Sequence, residues 1–117
     1  MQYRVPDQRH EPVDLTILRQ WEDDQVAAAR TALEFVRTSR GHVERARESA
    51  QMRDLASVLD LLHRVRGLLA LLGAERPHRS TTAARRAARI GSWTVAVAWL
   101  DEVAGWLDHA EQQLAAA

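Results

Sequence analysis

The chain has 117 residues, of which 46% are hydrophobic, enough for one packed core in a single domain. Sixteen cationic side chains, all arginine, balance sixteen acidic ones, so we expect no general electrostatic attraction to nucleic acid or to a membrane surface. The absence of cysteine excludes disulfides and thiolate chemistry. No apolar stretch of signal-peptide type opens the chain, and its apolar runs, such as 68–72, are too short to span a bilayer. We therefore expect a soluble, cytoplasmic protein.

The N-terminal region predicts an arm followed by a short helix. Residues 1–12 hold two prolines among scattered polar groups and are expected to form a flexible arm. Asp14 is a suitable N-cap for a first helix. The apolar residues of that helix are Leu15, Leu18 and Trp21.

Two longer helices follow. A period of three to four residues predicts the second helix from about Gln25 to Ser49, with Gly41 as a candidate kink. Asp54 is the expected N-cap of the third helix, and Gly73 can adopt the left-handed conformation that ends it. One broad arc of the third helix is apolar and is predicted to face the core: Leu55, Val58, Leu61, Leu62, Val65, Leu68, Leu69 and Leu72.

The last two helices are predicted from Ser80 to Ile90 and from Ser92 onward. Pro77 is expected to stop the preceding helix, and Gly91 to end the fourth. The fifth carries one apolar stripe: Trp93, Val97, Leu100, Ala104, Leu107 and Leu114. No strand alternation is visible, so the fold class is all-α. We predict an up-and-down four-helix bundle with a short N-terminal capping helix, spanning residues 13–117.

On the face of the third helix opposite its core arc, short side chains surround one histidine. His63 lies near the middle of this face, and Arg66 is three residues on, at a spacing where side chains meet along a helix. The surrounding positions form a candidate docking surface for a partner: Ala56, Leu59, Asp60, Gly67 and Ala70. We expect the imidazole to stand clear of its surroundings.

The residues from His63 to Ala74 read H-x-V-R-G-x-x-x-x-L-G-A. This pattern resembles the histidine-phosphotransfer (HPt) domain of two-component phosphorelays, in which an aliphatic residue, a cation and glycine follow the histidine. Asp54 resembles the acidic residue that often opens the histidine helix of the family, and Gly91-Ser92 before Trp93 resembles the turn between its last two helices. The resemblance covers about residues 13–115 and implies the same bundle fold.

The fourth helix departs from the family, which usually has bulky apolar residues there. Small or polar residues stand at the aligned positions, among them Ser80, Thr81 and Ala84. Four tryptophans are candidates to fill the lost volume: Trp21, Trp93, Trp99 and Trp106. Leu68 and Leu69 are a second departure, because the family favours small residues just after the motif glycine; we expect both to point into the core.

The resemblance implies that His63 accepts a phosphoryl group and that Arg66 holds the phosphate through charge-assisted hydrogen bonds. An exposed imidazole is mostly neutral at physiological pH and can attack phosphorus. The protein would be a phosphocarrier and not an enzyme, because catalysis and Mg²⁺ belong to the receiver domain of the partner. Neither a cofactor nor a metal of its own is implied.

Other polar residues have weaker interpretations. Asp60 is a candidate to orient the His63 ring, although we favour a solvated carboxylate. The remaining histidines lack ligand spacing, so no metal site is predicted: His10, His42, His78 and His109. A basic stretch either steers an acidic receiver face toward the protein or is a solvated helix face: Arg76, Arg79, Arg85, Arg86 and Arg89.

The leading functional hypothesis is a histidine phosphotransfer protein that carries a phosphoryl group on His63 between receiver-domain aspartates. Its partners would be response-regulator receivers and a hybrid sensor histidine kinase. The alternative is a degenerate bundle that binds a receiver or dimerises without phosphorylation, and a third interpretation is a helical interaction domain unrelated to phosphorelays. We expect a monomer; a homodimer through Trp99 and Trp106 is the other arrangement considered.

Overall fold

The computed structural model describes residues 11–116, which form five helices and no strand. The helices are α1 (Thr16–Arg19), α2 (Gln25–Gln51), α3 (Leu55–Leu71), α4 (Glu75–Arg89) and α5 (Trp93–Ala115). The all-α prediction is confirmed.

The four long helices form an up-and-down bundle. Each of α2 and α4 packs against both α3 and α5, while α1 packs on α2. Three residues join each successive pair of long helices, so neighbours in sequence are antiparallel neighbours in space. This order places α3 between α2 and α4, with its outer face free.

The core is made of aliphatic residues from all four long helices and one tryptophan. The α3 residues Val58, Leu62, Val65, Leu69 and Leu72 are fully buried, as the periodicity predicts. Leu61 and Leu68 are only half-buried at the edges of the arc. Leu55 was predicted to face the core but is exposed, because it is the first residue of α3, at the end of the bundle.

The ends of α3 are fixed by the expected residues. The Asp54 carboxylate accepts a hydrogen bond from the Ser57 amide at 3.2 Å, as an N-cap does. Gly73 has φ +62°, the left-handed conformation that ends a helix. A Cβ on Gly73 would lie 2.6 Å from the Cβ of Asp14, so the end of α3 and the N-terminal segment are in tight contact.

One predicted boundary is wrong, and smaller differences are found in the first two helices. The α4 helix begins at Glu75 and not at Ser80, because Pro77 lies in its first turn, where the helix does not use the missing N–H. The α2 helix continues through Gly41 to Gln51 without interruption. The α1 helix is a single turn, and Asp14 stabilises its start by accepting from the Thr16 amide at 2.9 Å.

The predicted flexible arm, residues 1–12, lies mostly outside the described residues, which begin at Glu11. Glu11 itself is bound to the bundle. Its carbonyl oxygen accepts from the Trp106 indole N–H at 2.6 Å, and its carboxylate accepts from the Arg76 amide at 2.9 Å. Contacts with the bundle therefore extend to residue 11, two residues before the predicted start of the domain.

The tryptophans do not act as one filling group. Trp106 is buried and packs beside Pro77 and Ser80 at the start of α4, so this tryptophan fills space next to the small residues of that helix. Trp93 packs partly against the core, whereas Trp99 is 39% exposed and Trp21 is 78% exposed. Burial of Trp106 removes it from the dimer surface that was considered.

Candidate functional site

His63 is the ninth of the 17 residues of α3 and is exposed. Its orientation follows from packing, because Leu62 and Val65 on either side of it are fully buried and hold the helix in one rotation. The other histidines of the described part, His42, His78 and His109, are half-buried. His63 is thus the one exposed imidazole within residues 11–116, and it lies at the centre of a helix.

Most of the side chains around His63 are short and project little from the helix. Ala56, Asp60, Gly67 and Ala70 are exposed, and Leu59 is half-buried. A Cβ placed on Gly67 would meet nothing within 4 Å outside its own helix turn, so this glycine is not needed for packing between helices. A partner can therefore approach the imidazole closely from this side.

Asp60 does not orient the His63 ring. Its carboxylate pairs with the Arg64 guanidinium at 3.3 Å on the surface, with both side chains about 60% exposed. No hydrogen bond joins Asp60 to His63 in the part of the chain described. The favoured interpretation of a solvated carboxylate agrees with this geometry, and an exposed pair of this kind stabilises the fold little.

Arg66 lies on the flank of α3 that faces α4. Its side chain is half-buried, and its Nε atom is buried without a hydrogen-bond partner. Burial lowers the pKa of His78 on α4, and the nearby charge of Arg66 lowers it further. The predicted phosphate-holding residue is therefore one turn from His63 and carries an unused donor.

The opposite flank, facing α2, is already bonded internally. The Arg45 guanidinium contacts the His42 Nδ1 atom at 2.6 Å. Burial lowers the pKa of His42, with smaller contributions from the charges of Arg45 and Arg64. A neutral His42 that accepts from Arg45 is consistent with both observations, and it leaves this imidazole engaged within the bundle.

Arg85 was not singled out by the sequence, which placed it only in the basic stretch of α4. Its Nε atom is buried without a hydrogen-bond partner, like that of Arg66. Burial, then the charges of Arg66 and Arg89, lowers its pKa. The position of Arg85 beside Arg66 depends on the packing of α3 on α4, which no local pattern reveals.

Residues 11–116 contain neither a cluster of metal ligands nor a membrane-spanning helix. No group of three histidine or acidic residues there is arranged to hold a metal ion. Within the same residues, no helix is long and apolar enough to cross a membrane.

The described residues form an all-α bundle with an exposed histidine at the middle of one helix. These two features place the protein in the class of helical domains that present a histidine on their surface. The family model of the Hpt domain matches residues 15–113, nearly the whole described chain. The protein belongs to the Hpt domain family, whose members act in phosphorelays as phosphocarriers and interact with receiver domains and histidine kinases. No curated protein and no solved structure matches the chain at a significant level.

Proposed function

We propose that this protein carries a phosphoryl group on His63 between the aspartates of receiver domains in a two-component phosphorelay. The observation that carries the proposal is the exposed imidazole of His63 beside the open surface at Gly67, in a chain of the Hpt family. Such a role places the protein in the cytoplasm, where its partners would be receivers and a hybrid sensor histidine kinase.

The transfer step uses the unprotonated ring nitrogen of a neutral imidazole. This nitrogen attacks the phosphorus of a partner's phospho-aspartate, so that an N–P bond forms while the bond from phosphorus to the aspartate oxygen breaks. The carboxylate leaves with the bonding electron pair. The reverse step hands the phosphoryl group to another receiver aspartate. The Mg²⁺ and acidic pocket of the receiver supply the catalysis, and this chain supplies the acceptor.

Arg66 is proposed to hold the phosphoryl oxygens once they reach His63. Its guanidinium is permanently charged and can donate two parallel hydrogen bonds to one phosphate. The unpartnered Nε atom is consistent with this role, since a bound oxygen would supply the acceptor that the protein does not.

The docking surface is proposed to be Ala56, Leu59, Asp60, Gly67 and Ala70. Short side chains around His63 let the receiver bring its aspartate to the imidazole. The half-buried Leu59 adds apolar area for the contact, and the exposed Asp60–Arg64 pair lies at its α2 edge.

The proposal is tested by incubation with phosphorylated receiver domains, followed by measurement of acid-labile phosphate on this protein. His63→Gln should abolish uptake and change the free energy of unfolding by no more than about 0.5 kcal/mol, because the side chain is exposed. His42→Gln is the matched control, since it removes a half-buried histidine from the neighbouring helix and should keep uptake.

Uptake that survives in His63→Gln would reject the assignment of the acceptor. A wild-type protein that binds receivers tightly and takes up no phosphate would instead identify a module that docks without phosphorylation.

A further inference from the structure

Two arginines on helices that pack together, Arg66 of α3 and Arg85 of α4, each have a buried Nε donor without an acceptor. Within residues 11–116, three buried side-chain polar atoms lack a hydrogen-bond partner: Ser39 Oγ, Arg66 Nε and Arg85 Nε. Two of the three thus belong to arginines of packed helices, one on α3 and one on α4. Buried donors are normally paired, so two unpaired donors on packed helices are an unusual arrangement.

The surrounding charge has the same sign. Residues 76–100 contain no acidic side chain, and no ion pair in the described part of the chain involves Arg66 or Arg85. Arg66 and Arg89 both lower the pKa of Arg85, although burial lowers it more. His78 is the other titratable group close to Arg66. Like charges held side by side favour an anion between them.

The chain pairs its arginines elsewhere. On α2, Arg40 contacts Asp108 at 2.9 Å and Arg47 contacts Asp101 at 2.9 Å, both across to α5. Since acidic partners are available to the arginines of α2, the lack of an acidic partner for Arg66 and Arg85 is a local property of the contact between α3 and α4 and does not follow from the composition.

We propose that Arg85 joins Arg66 in gripping the phosphoryl group on His63, with one guanidinium from each of two helices. Arg66 lies one turn after His63 on α3. Only three residues join α3 to the antiparallel α4 packed against it, so the middle of α4, which includes Arg85, lies about level with His63. The inference rests on the proposed function and adds a phosphate-holding residue from α4 to it. No covalent step is added, because the arginines only donate hydrogen bonds.

The grip makes a prediction about the phosphoryl group itself. Two cations close to its oxygens favour the doubly ionised form and so lower the pKa of the phosphoryl group. A role for Arg85 in steering an acidic partner would leave this pKa unchanged, because it requires no contact with the phosphate.

The test uses the whole protein phosphorylated chemically with phosphoramidate and titrated by ³¹P NMR. In Arg85→Ala, we expect the phosphoryl pKa to lie about one pH unit higher than in wild type. Arg85→Lys should show a smaller rise, because the charge remains and only the paired donors are lost. Arg86→Ala is the matched control: it removes the same charge from the adjacent, exposed position and should leave the titration unchanged.

The outcomes separate the two proposals. A phosphoryl group on His63 with the same pKa in wild type and Arg85→Ala would overturn the grip and leave the proposed function standing. Failure to place any phosphoryl group on His63 would overturn both. Where Arg85→Ala does not fold, the Nε–H resonance of Arg85 in the wild type decides: it must move on phosphorylation, and an unmoved resonance would overturn the grip.

Discussion

The proposed chemistry depends on how little surrounds His63. The neighbouring exposed positions one turn away and two turns away are alanine, glycine and one short carboxylate that pairs outward with Arg64. Glycine is an expensive choice inside a helix, costing about 1 kcal/mol relative to alanine. Because a Cβ on Gly67 would touch no other element, packing does not explain this cost, whereas the proposed access for a partner would.

Gly67 therefore gives a direct test of the docking surface. Gly67→Ala should raise the free energy of unfolding by about 1 kcal/mol, since only the helix propensity changes. Gly67→Leu should leave the fold equally or more stable, while receiver binding and phosphoryl transfer fall together. Thermal melts and receiver titrations measure the two effects. A stable Gly67→Leu protein that binds its receiver normally would contradict the proposed surface.

Arg66 should matter more for transfer than for docking. In Arg66→Ala, the rate of phosphoryl transfer should fall about tenfold, the size expected for one charge-assisted hydrogen bond. Arg66→Lys should lose less, because the charge remains. Arg64→Ala is the control on the opposite flank, where the guanidinium is already paired with Asp60. Wild-type transfer rates in both Arg66 variants would show that Arg66 does not hold the phosphate.

For single residues, the sequence predicts well which side chains are exposed and poorly which residues of other helices they approach. The apolar arc of α3 fixes the rotation of the helix, and so the outward direction of His63 and Gly67 follows from periodicity alone. The neighbours of Arg66 do not follow, because they depend on which helix packs on that flank. Arg85 and His78 come within reach only when α3 and α4 are antiparallel.

At the scale of the helices, the site is held in place by the way in which the helices end. The end of α3 is the most constrained, since Gly73 has φ +62° and would contact Asp14 through any Cβ. The Asp14 amide also donates to the Leu72 carbonyl at 3.0 Å. The N-terminal segment is thus packed against the end of the histidine helix.

Gly73→Ala should be strongly destabilising. A left-handed backbone costs an alanine about 1 kcal/mol, and the contact with Asp14 at 2.6 Å adds to it. We expect a loss of about 2 kcal/mol in the free energy of unfolding. Gly91→Ala is the matched control, because Gly91 has φ +77° and a Cβ there would meet nothing within 4 Å. Equal losses in the two variants, measured by urea unfolding, would contradict the role of the Asp14 contact.

Element boundaries were predicted well where a capping residue marks them. The starts of α2 and α3 follow Asp24 and Asp54, whose carboxylates accept from backbone amides of the first turn. The start of α4 was missed because a proline both ends one helix and fits the first turn of another. Pro77 lies in the first turn of α4. The only sequence feature that could have indicated this is Gly73, which ends α3 four residues before the proline.

At the scale of the whole molecule, a buried tryptophan joins three parts of the chain. Trp106 of α5 packs beside the start of α4 and donates its indole N–H to the Glu11 carbonyl. Glu11 in turn accepts from the Arg76 amide in the first turn of α4. The fold predicted from helix spacing is correct, but this tie could not be predicted, because its partners are 95 residues apart.

Trp106→Ala should cost about 3–5 kcal/mol, as for other large aromatic residues removed from a core. Trp106→Phe keeps most of the apolar volume and loses the hydrogen bond to Glu11, so we expect the free energy of unfolding to fall by about 1 kcal/mol. Trp99→Ala, at a position 39% exposed on the same helix, should cost clearly less than Trp106→Ala. Urea unfolding measures all three, and similar losses for Trp99→Ala and Trp106→Ala would contradict the assigned burial.

The central claim is that His63 both receives and gives up a phosphoryl group. The most direct measurement follows the label through a complete relay: a phosphorylated receiver, this protein, and a second unphosphorylated receiver. We predict that phosphohistidine appears at His63, identified by mapping of the intact phosphopeptide, and then decays as the second receiver gains phospho-aspartate. Label that reaches the second receiver equally well with His63→Gln, or that never appears at His63 in the wild type, would contradict the account.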